Sequence, residues 1–333
     1  MIGLLLAAAM TLNFAGCASG SASGAAESAP SAEKKTYKVA IVQQLDHASL
    51  DEIANAVKAE LDVLAEKNGV TIEYTLDSGN NDPTVLKQLG DQAVASKADA
   101  IIPIATLAAQ TMVACTEETK TPVIFAAISD PETAGLTGLD NVTGTSDALN
   151  TAFIMDMMLK QNPDIKKVGL LYSLSEDNSK KPIEEAKAYL DEKNIEYVES
   201  NGNTTDEVIQ SVTYQISQGV DAIFTPTDNV IMAAELSIYE ALAEAGIPHY
   251  AGADSFVRNG AYATCGVNYT DLGTKTADYA YEAMTSGIAA MEDYYLMEGG
   301  IITVNTETEA LLGLDSSVFE SMGELVKVTT TED

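Results

Sequence analysis

Short apolar runs alternate along the chain with longer segments whose apolar residues recur every three or four positions. The runs have the length of strands, and the periodic segments have the length of helices. The predicted strands are residues 39–42, 71–74, 100–104, 123–127, 168–172, 195–198, 222–226 and 249–252. Because continuous apolar strands separated by helices are typical of parallel sheets covered on both faces, the pattern predicts an α/β fold.

Helical spacing is clearest after the first strand, where apolar residues recur on one face from Leu50 to Leu64. Ser49 and Glu52 have the spacing of a capping box at the start of this helix. In the second half, helices are predicted over about 182–193, 206–218 and 230–245.

The two halves of the chain also resemble each other locally. The matching segments are Lys38-Val39 with Lys167-Val168, Asp99-Ala100-Ile101 with Asp221-Ala222-Ile223, and Thr121-Pro122 with Ile247-Pro248. Their separations are 129, 122 and 126 positions, so the order and spacing are nearly constant. We therefore predict two Rossmann-like lobes with parallel sheets. Since ligands bind beyond the carboxyl ends of such strands, two facing lobes would form a binding cleft.

Charge and composition narrow the function. The 333 residues include 18 Lys and Arg against 50 Asp and Glu, a net charge of −32. So acidic a surface repels phosphate backbones and argues against a nucleic-acid partner. Two histidines and three cysteines supply few ligands for a metal, and the sequence carries no phosphate loop or nucleophile motif. We expect no cofactor, no metal and no enzyme activity, although paired carboxylates leave a surface enzyme as an alternative.

The amino-terminal segment predicts a location. The sequence Phe14-Ala15-Gly16-Cys17 resembles a bacterial lipoprotein cleavage box, after an apolar stretch. We expect a signal peptide over 1–16, lipidation at Cys17 and a flexible Ala/Ser/Gly tether over 17–35. The folded body would then be extracytoplasmic and anchored to the bacterial cell membrane by its lipid alone. Cys115 and Cys265 are expected to be free thiols.

Two candidate ligand residues follow equivalent strands. Thr106 follows the strand ending at residue 104, and the 122-residue offset maps it onto Asp228. A hydroxyl at a helix start attracts a carboxylate, while a carboxylate binds an ammonium group. The pair would suit a zwitterion, although both residues also have the character of helix caps.

Further candidates lie at other strand ends and in the loops that follow them. Tyr172 has the best position for stacking on an aromatic ligand, and ordinary packing is its alternative. The remaining candidates are His47, Ser78, Ser129, Asp130, Glu176, Asn178, Thr227 and Asp254. For the loop residues the alternative is turn or capping chemistry.

Several of these residues stand in segments that resemble a known family. The segments are His47-Ala48-Ser49-Leu50-Asp51, Ala105-Thr106-Leu107-Ala108-Ala109-Gln110, Phe125-Ala126-Ala127-Ile128-Ser129-Asp130-Pro131, Gly144-Thr145-Ser146-Asp147, Glu176-Asp177-Asn178-Ser179, Pro226-Thr227-Asp228-Asn229 and Gly266-Val267-Asn268-Tyr269. Over about 38–314 the chain resembles the substrate-binding lipoproteins of ABC transporters, in the branch associated with tryptophan and other aromatic amino acids. Leu107 and Asn268 depart from the Pro and Asp expected there.

The resemblance implies a type I periplasmic-binding-protein architecture, in which the chain crosses a hinge three times. The crossings would lie near 145–147, 266–269 and 299–304. The first lobe would comprise 36–145 with 268–299, and the second 146–267 with 300–333.

The same resemblance implies a monomer that captures an amino acid, an aromatic one in this branch, and delivers it to an ABC permease with its ATPase. A sensory receptor for a membrane kinase or chemoreceptor is the main alternative role. A nucleoside, a sugar or a branched-chain amino acid remains an alternative ligand.

Overall fold

The computed structural model describes residues 34–331. The predicted signal peptide, the lipidation site Cys17 and tether residues 17–33 lie outside this part of the chain. Within it, the elements alternate as the apolar pattern predicts, and the α/β fold class is confirmed.

The strands fall into two sheets. They are β1 (Thr36–Gln43), β2 (Thr71–Ser78), β3 (Ala100–Ile104), β4 (Val123–Phe125), β5 (Val142–Ser146), β6 (Lys167–Tyr172), β7 (Glu196–Asn201), β8 (Ala222–Thr225), β9 (His249–Ala251), β10 (Ala263–Gly266), β11 (Tyr295–Leu296), β12 (Ile301–Asn305) and β13 (Glu324–Val328). One sheet has the order β11-β5-β4-β3-β1-β2 and the other β13-β12-β10-β9-β8-β6-β7. All described pairings are parallel except that of β10 with β12.

Helices cover both sheets. They are α1 (Ala48–Asn68), α2 (Pro83–Ala95), α3 (Thr106–Cys115), α4 (Thr151–Gln161), α5 (Asp177–Lys193), α6 (Thr205–Ser217), α7 (Asn229–Ala234), α8 (Tyr239–Glu244), α9 (Asp254–Arg258), α10 (Tyr269–Ser286) and α11 (Thr306–Leu312). Helices α1, α2, α3 and α10 pack on the six-stranded sheet, and the others pack on the seven-stranded sheet. We name these two assemblies the first lobe and the second lobe.

The internal repeat is visible in the hydrogen bonds. The Lys38 amide donates to Asp99 Oδ2 at 2.8 Å, and the Lys167 amide donates to Asp221 Oδ2 at 2.9 Å. An aspartate at the equivalent position of each lobe therefore joins the first strand to the turn before the third strand. Two matching amide-to-carbonyl bonds, from residue 101 to residue 122 and from residue 223 to residue 248, repeat the next feature.

The chain passes between the lobes after β5, after β10 and after β11, within residues 34–331. Helix α10 follows a strand of the second lobe but packs along α1 of the first. Each lobe is therefore built from separate stretches of sequence, and side chains at the crossings lie beside the cleft.

Two predicted helices differ in the structure. Helix α5 begins at Asp177 rather than near residue 182, with Pro182 inside it. The predicted helix over 230–245 is divided into α7, a 3-10 turn over Glu235–Ser237 and α8. The division lets Glu235 turn inward, where it bonds His249 Nδ1 at 3.0 Å.

The interior of both lobes is apolar, and its largest fully buried side chains include Phe125, Phe224 and Tyr250. Cys115 and Cys265 are free thiols, as expected. Among residues 34–331, no helix is both long and apolar enough to span a bilayer.

Candidate functional site

A small cavity lies between the lobes, at the carboxyl ends of the strands. Its apolar lining comes from both lobes: Leu50, Ala105, Ala127, Met232, Ala253 and Phe256. Its polar lining consists of His47, Ser49, Thr106, Ser129, Asp147, Asn178, Thr227, Asp228, Asn229 and Tyr269. An apolar wall with a few convergent polar groups is typical of a small-molecule site.

Hydrogen bonds cross the cleft beside the cavity. They join Ser49 Oγ to Ser255 Oγ, His47 Nε2 to Asn229 Oδ1 at 3.1 Å, Ser129 Oγ to Thr227 Oγ1 at 2.9 Å, and Gln44 Nε2 to Glu176 Oε1 at 2.7 Å. Each pairs a residue of the first lobe with one of the second, so the lobes are closed on each other. Ser49 uses its hydroxyl in this contact, and the predicted capping box is wrong because no side chain caps α1.

Two helices of the first lobe begin at the cavity, and neither is capped by the side chain of its own N-cap residue. Helix α1 follows His47, and α3 follows Ala105. Backbone amides at a helix start carry partial positive charge and attract an anion. Thr106 adds a buried hydroxyl at the start of α3. This side of the cavity is therefore suited to a carboxylate.

Ala105, the residue before α3, has a strained backbone conformation. Its φ of 76° and ψ of 164° lie in a region that is essentially restricted to glycine. Ala127, which also lines the cavity, has a positive φ of 57°. Since both alanines line the cavity, the surrounding structure must fix their strained backbone conformations, as is common at binding sites.

Asp228 is fully occupied by its own lobe. Its Oδ1 accepts bonds from the amides of Val230 and Ile231, both at 3.1 Å. Its Oδ2 accepts from the Ser173 amide and the Ser179 hydroxyl, both at 2.7 Å. This buried carboxylate lines the cavity, but its oxygens cap α7 and hold the loop after β6.

Asp147 is the other buried carboxylate at the cavity, and its environment differs. Its Oδ1 accepts from Ser129 Oγ at 3.0 Å, and its Oδ2 accepts from the Tyr269 hydroxyl at 3.1 Å. No basic side chain within residues 34–331 lies within ion-pair distance of it. Burial raises the pKa of Asp147. A cationic group in the cavity would supply the missing charge.

His47 presents one ring nitrogen without a protein partner. Its Nε2 bonds Asn229 Oδ1, whereas its buried Nδ1 has no partner among the described residues. Burial lowers the pKa of His47, which keeps the ring neutral.

Glu176 lies in a crevice next to the cavity. The crevice shares Thr106 and Asn178 with the cavity and adds Gln44 and Gln110. Glu176 accepts bonds from Gln44 and from Asn229 Nδ2, both at 2.7 Å. Burial, and secondly the charge of Asp228, raise the pKa of Glu176 to about 8.

The structure places six of the eleven ligand candidates around the cavity. They are His47, Thr106, Ser129, Asn178, Thr227 and Asp228. Thr106 is the first residue of α3, whereas Asp228 is the residue before α7. The two positions predicted to be equivalent are therefore one residue out of step relative to their helices.

The other five candidates lie elsewhere. Ser78 is at the end of β2, and Glu176 lines the neighbouring crevice. Tyr172 lies outside the cavity and donates its hydroxyl to Glu199 at 2.7 Å. Asp130 bonds Thr133 and pairs with Lys181, and Asp254 pairs with Arg258.

Sequence reasoning missed five lining residues that matter for ligand chemistry. They are Asp147, Asn229, Met232, Phe256 and Tyr269. Asp147 and Tyr269 stand within segments predicted as hinge crossings, which was the one available signal. Phe256 and Met232 are buried residues of short helices, and their sequence pattern does not distinguish a cavity wall from a core.

The described residues contain no group of three or more His, Cys, Asp or Glu side chains arranged to hold a metal. The polar groups of the cavity are hydroxyls, amides, carboxylates and one imidazole. This inventory can bind the two charged ends of a zwitterion.

Comparison with known proteins adds a family. A family model described as ABC transporter substrate binding protein matches residues 38–309. A tyrosine-binding protein of Clostridioides difficile, strain R20291, is 31% identical over 275 residues, which are 81% of this chain and 79% of that protein.

Two solved structures are similar in different states. An ABC domain from Streptococcus pneumoniae in complex with L-Trp is 29% identical, with a TM-score of 0.79 over 88% of this chain and 100% of that one. The ligand-free, open structure of a substrate-binding protein with adhesive properties from Clostridium difficile is 27% identical. Its TM-score is 0.66 over 89% of this chain and 100% of that one.

Proposed function

The chain belongs to the ABC transporter substrate-binding protein family, and from that premise we propose that its cleft captures an aromatic amino acid. The similarity to a tyrosine-binding protein and to an L-Trp complex supports this ligand class. The family is one of solute-binding proteins, so the cleft binds a small molecule, and the partners are an ABC permease and its ATPase.

The contrast between Asp147 and the start of α3 carries the proposal. Asp147 holds the ligand ammonium, because it is a buried carboxylate without a cation and its two bonds come from neutral hydroxyls. Thr106 and the amides at the start of α3, apart from that of Leu107, which donates to Gln44 Oε1, hold the ligand carboxylate.

The side chain of the ligand packs against the apolar lining. Phe256 and Tyr269 are the aromatic residues of that lining, and Leu50 and Met232 add aliphatic surface. Contact with an aromatic ring contributes roughly 0.5–1.5 kcal/mol beyond the area buried, and a methionine sulfur adds a favourable contact at the ring edge.

Closure follows from binding contacts in both lobes. Thr106 begins α3 of the first lobe and Asp147 directly follows β5 at the first crossing, whereas Phe256 and Met232 belong to the second lobe. A ligand that touches all of them stabilises the closed state over the open one. We propose that the lobes are 36–145 with 268–299 and 146–267 with 300–333, and that they move about the three crossings.

The location is a second part of the proposal. A substrate-binding protein of an ABC importer works outside the cytoplasmic membrane. We propose that Cys17 carries the lipid anchor and that the protein is a monomer. The intact mass of protein extracted from membranes tests the anchor: a mature chain starting at a diacylglycerol-modified Cys17 supports it, and an unmodified Cys17 contradicts it.

The absence of tryptophan from the sequence gives a direct test of ligand class. Excitation at 295 nm during titration with L-tryptophan reports almost entirely on the ligand. A saturable change in its emission, reversed by L-tyrosine or L-phenylalanine and unaffected by L-leucine or ribose, is the expected result. Emission identical to that of free tryptophan would exclude this ligand.

A further inference from the structure

A chain of hydrogen bonds crosses the cleft next to the proposed ligand cavity. Gln44 accepts from the Leu107 amide at 3.0 Å, and this contact directs its amide group toward Glu176 Oε1. Asn229 Nδ2 donates to Glu176 Oε2, and Asn229 Oδ1 bonds His47 Nε2. Both oxygens of Glu176 are thus held by amides, and the chain joins the two lobes twice.

The partners of Glu176 come from both lobes, and this distinguishes it from Asp228. Gln44 belongs to the first lobe, whereas Glu176 and Asn229 belong to the second. The four donors to Asp228 all lie in the second lobe. Opening the cleft therefore separates Glu176 from Gln44 and admits water, while Asp228 keeps its bonds.

Closure buries Glu176 without a positive partner. Among the described residues, no basic side chain lies within 4 Å of its carboxyl group. Burial and the negative charge of Asp228 favour the protonated form, and they outweigh the hydrogen bonds from Asn229, Asn178 and Gln44, which favour the carboxylate.

The other titratable groups around Glu176 leave that balance unchanged. The titratable group before α1 is His47, whose lowered pKa keeps it neutral. Asp177, at the start of α5, pairs with Lys180 at 2.6 Å near the surface. Neighbouring Leu107 and Gln110 of α3, and Asn81 before α2, carry no charge.

We propose that closure of the lobes on the ligand takes up a proton at Glu176, so that ligand affinity depends on pH. This inference rests on the proposed function, since it concerns the same cleft. In the open state the hydrated carboxyl group titrates near its ordinary value of about 4.3. In the closed state it holds its proton up to a higher pH, and the affinity gained from that proton is lost as pH rises.

The sign and the window follow from Glu176 and His47, because Asp147 is proposed to pair with the ligand ammonium, which keeps it ionised in the closed state. Glu176 lowers affinity as pH rises toward its closed-state pKa of about 8. His47 acts in the opposite direction below its ordinary pKa of about 6.5, because closure disfavours its charged form. Between about pH 6.5 and 8 the effect of Glu176 is unopposed, and affinity is expected to fall about tenfold.

Isothermal titration calorimetry with L-tryptophan measures the proton directly. Titrations at pH 7.5 are compared in phosphate and in Tris. The difference in observed binding enthalpy, divided by the difference between the ionisation enthalpies of the two buffers, gives the number of protons taken up per ligand. The expected uptake is about 0.5–1 proton per ligand for the wild-type protein. Glu176→Gln should remove most of this uptake and flatten the affinity between pH 6.5 and 8.

A matched control is Glu199→Gln, which changes a carboxylate of β7 outside the cavity and should keep the wild-type uptake. Binding by the wild-type protein without proton uptake would overturn the inference and leave the proposed function standing. The absence of binding by any aromatic amino acid would instead refute the proposed function, and the inference with it. Since the wild-type comparison of buffers is decisive, the test does not depend on the variant folding.

Discussion

Equivalent junctions in the two lobes start their helices in opposite ways. In the first lobe, α3 follows β3 directly through Ala105, whose backbone is strained and whose side chain cannot cap the helix start. In the second lobe, three residues separate β8 from α7, and Asp228 caps the helix with its carboxylate. In the first lobe Gln44 accepts from the Leu107 amide and the rest of the helix start is proposed to face a ligand anion, whereas in the second lobe Asp228 caps the helix.

Topologically equivalent positions in the two lobes therefore do not share the same chemistry. Asp228 stands beside the cavity in the place that the repeat predicts, yet its oxygens are occupied by four donors of its own lobe. Asp147 follows β5 at a crossing between the lobes and retains capacity for a ligand cation. The proposed ligand site thus combines the helix starts of one repeat with a carboxylate at the hinge.

The largest effect is expected from Asp147→Asn, which removes the charge proposed to hold the ligand ammonium. Loss of a charge-assisted hydrogen bond costs about 1.5–3 kcal/mol, so affinity for L-tryptophan should fall about 100-fold. Thermal stability should stay close to that of the wild type, because asparagine fits the same space without a buried charge. Calorimetry and a thermal melt measure the two quantities, and unchanged affinity would remove Asp147 from the ammonium site.

Asp228→Asn should differ from Asp147→Asn, because its main effect should be a loss of stability rather than a loss of affinity. The amide group cannot accept the bonds made by one carboxylate oxygen, which leaves buried donors unsatisfied and costs about 2 kcal/mol. Urea denaturation should show this loss. A variant as stable as the wild type, but unable to bind, would return Asp228 to the role of ligand contact.

Ala105→Gly tests whether strain is retained for the open helix start. Glycine adopts the observed φ of 76° without a steric cost. Relief of this strain should outweigh the greater flexibility of glycine in the unfolded chain, so the free energy of unfolding should rise by about 1 kcal/mol. Affinity should fall by less than tenfold, since the loop loses order. The matched control is Ala59→Gly on the exposed face of α1, which should lower stability by about 1 kcal/mol. Equal destabilisation by both changes would show that Ala105 is not strained.

Much of the fold could be predicted, because strands buried on both faces form continuous apolar runs that stand out from helical spacing. The repeat was also visible, since Asp99 and Asp221 make the same bond in both lobes. The points at which helices are interrupted were less predictable. Nothing in residues 230–245 indicates the turn at Glu235, which depends on a tertiary bond to His249.

The site was predictable only where a strand end enters a helix. Thr106 and Ser129 were found by this rule, and both line the cavity. The rule fails for Asp147. This residue is a ligand candidate because it is buried without a cationic partner, and the absence of a partner is visible only in the folded chain. The positive φ of Ala105 was equally hidden, because alanine at that position carries no sign of a left-handed backbone.

A crystal structure of the complex with L-tryptophan would show which residues bind the two charged groups of the ligand. We expect the ligand between the closed lobes, with its ammonium within hydrogen-bond distance of Asp147 and its carboxylate at Thr106 and the start of α3. An ammonium bound by Asp228, or a ligand seated outside this cavity, would contradict this expectation.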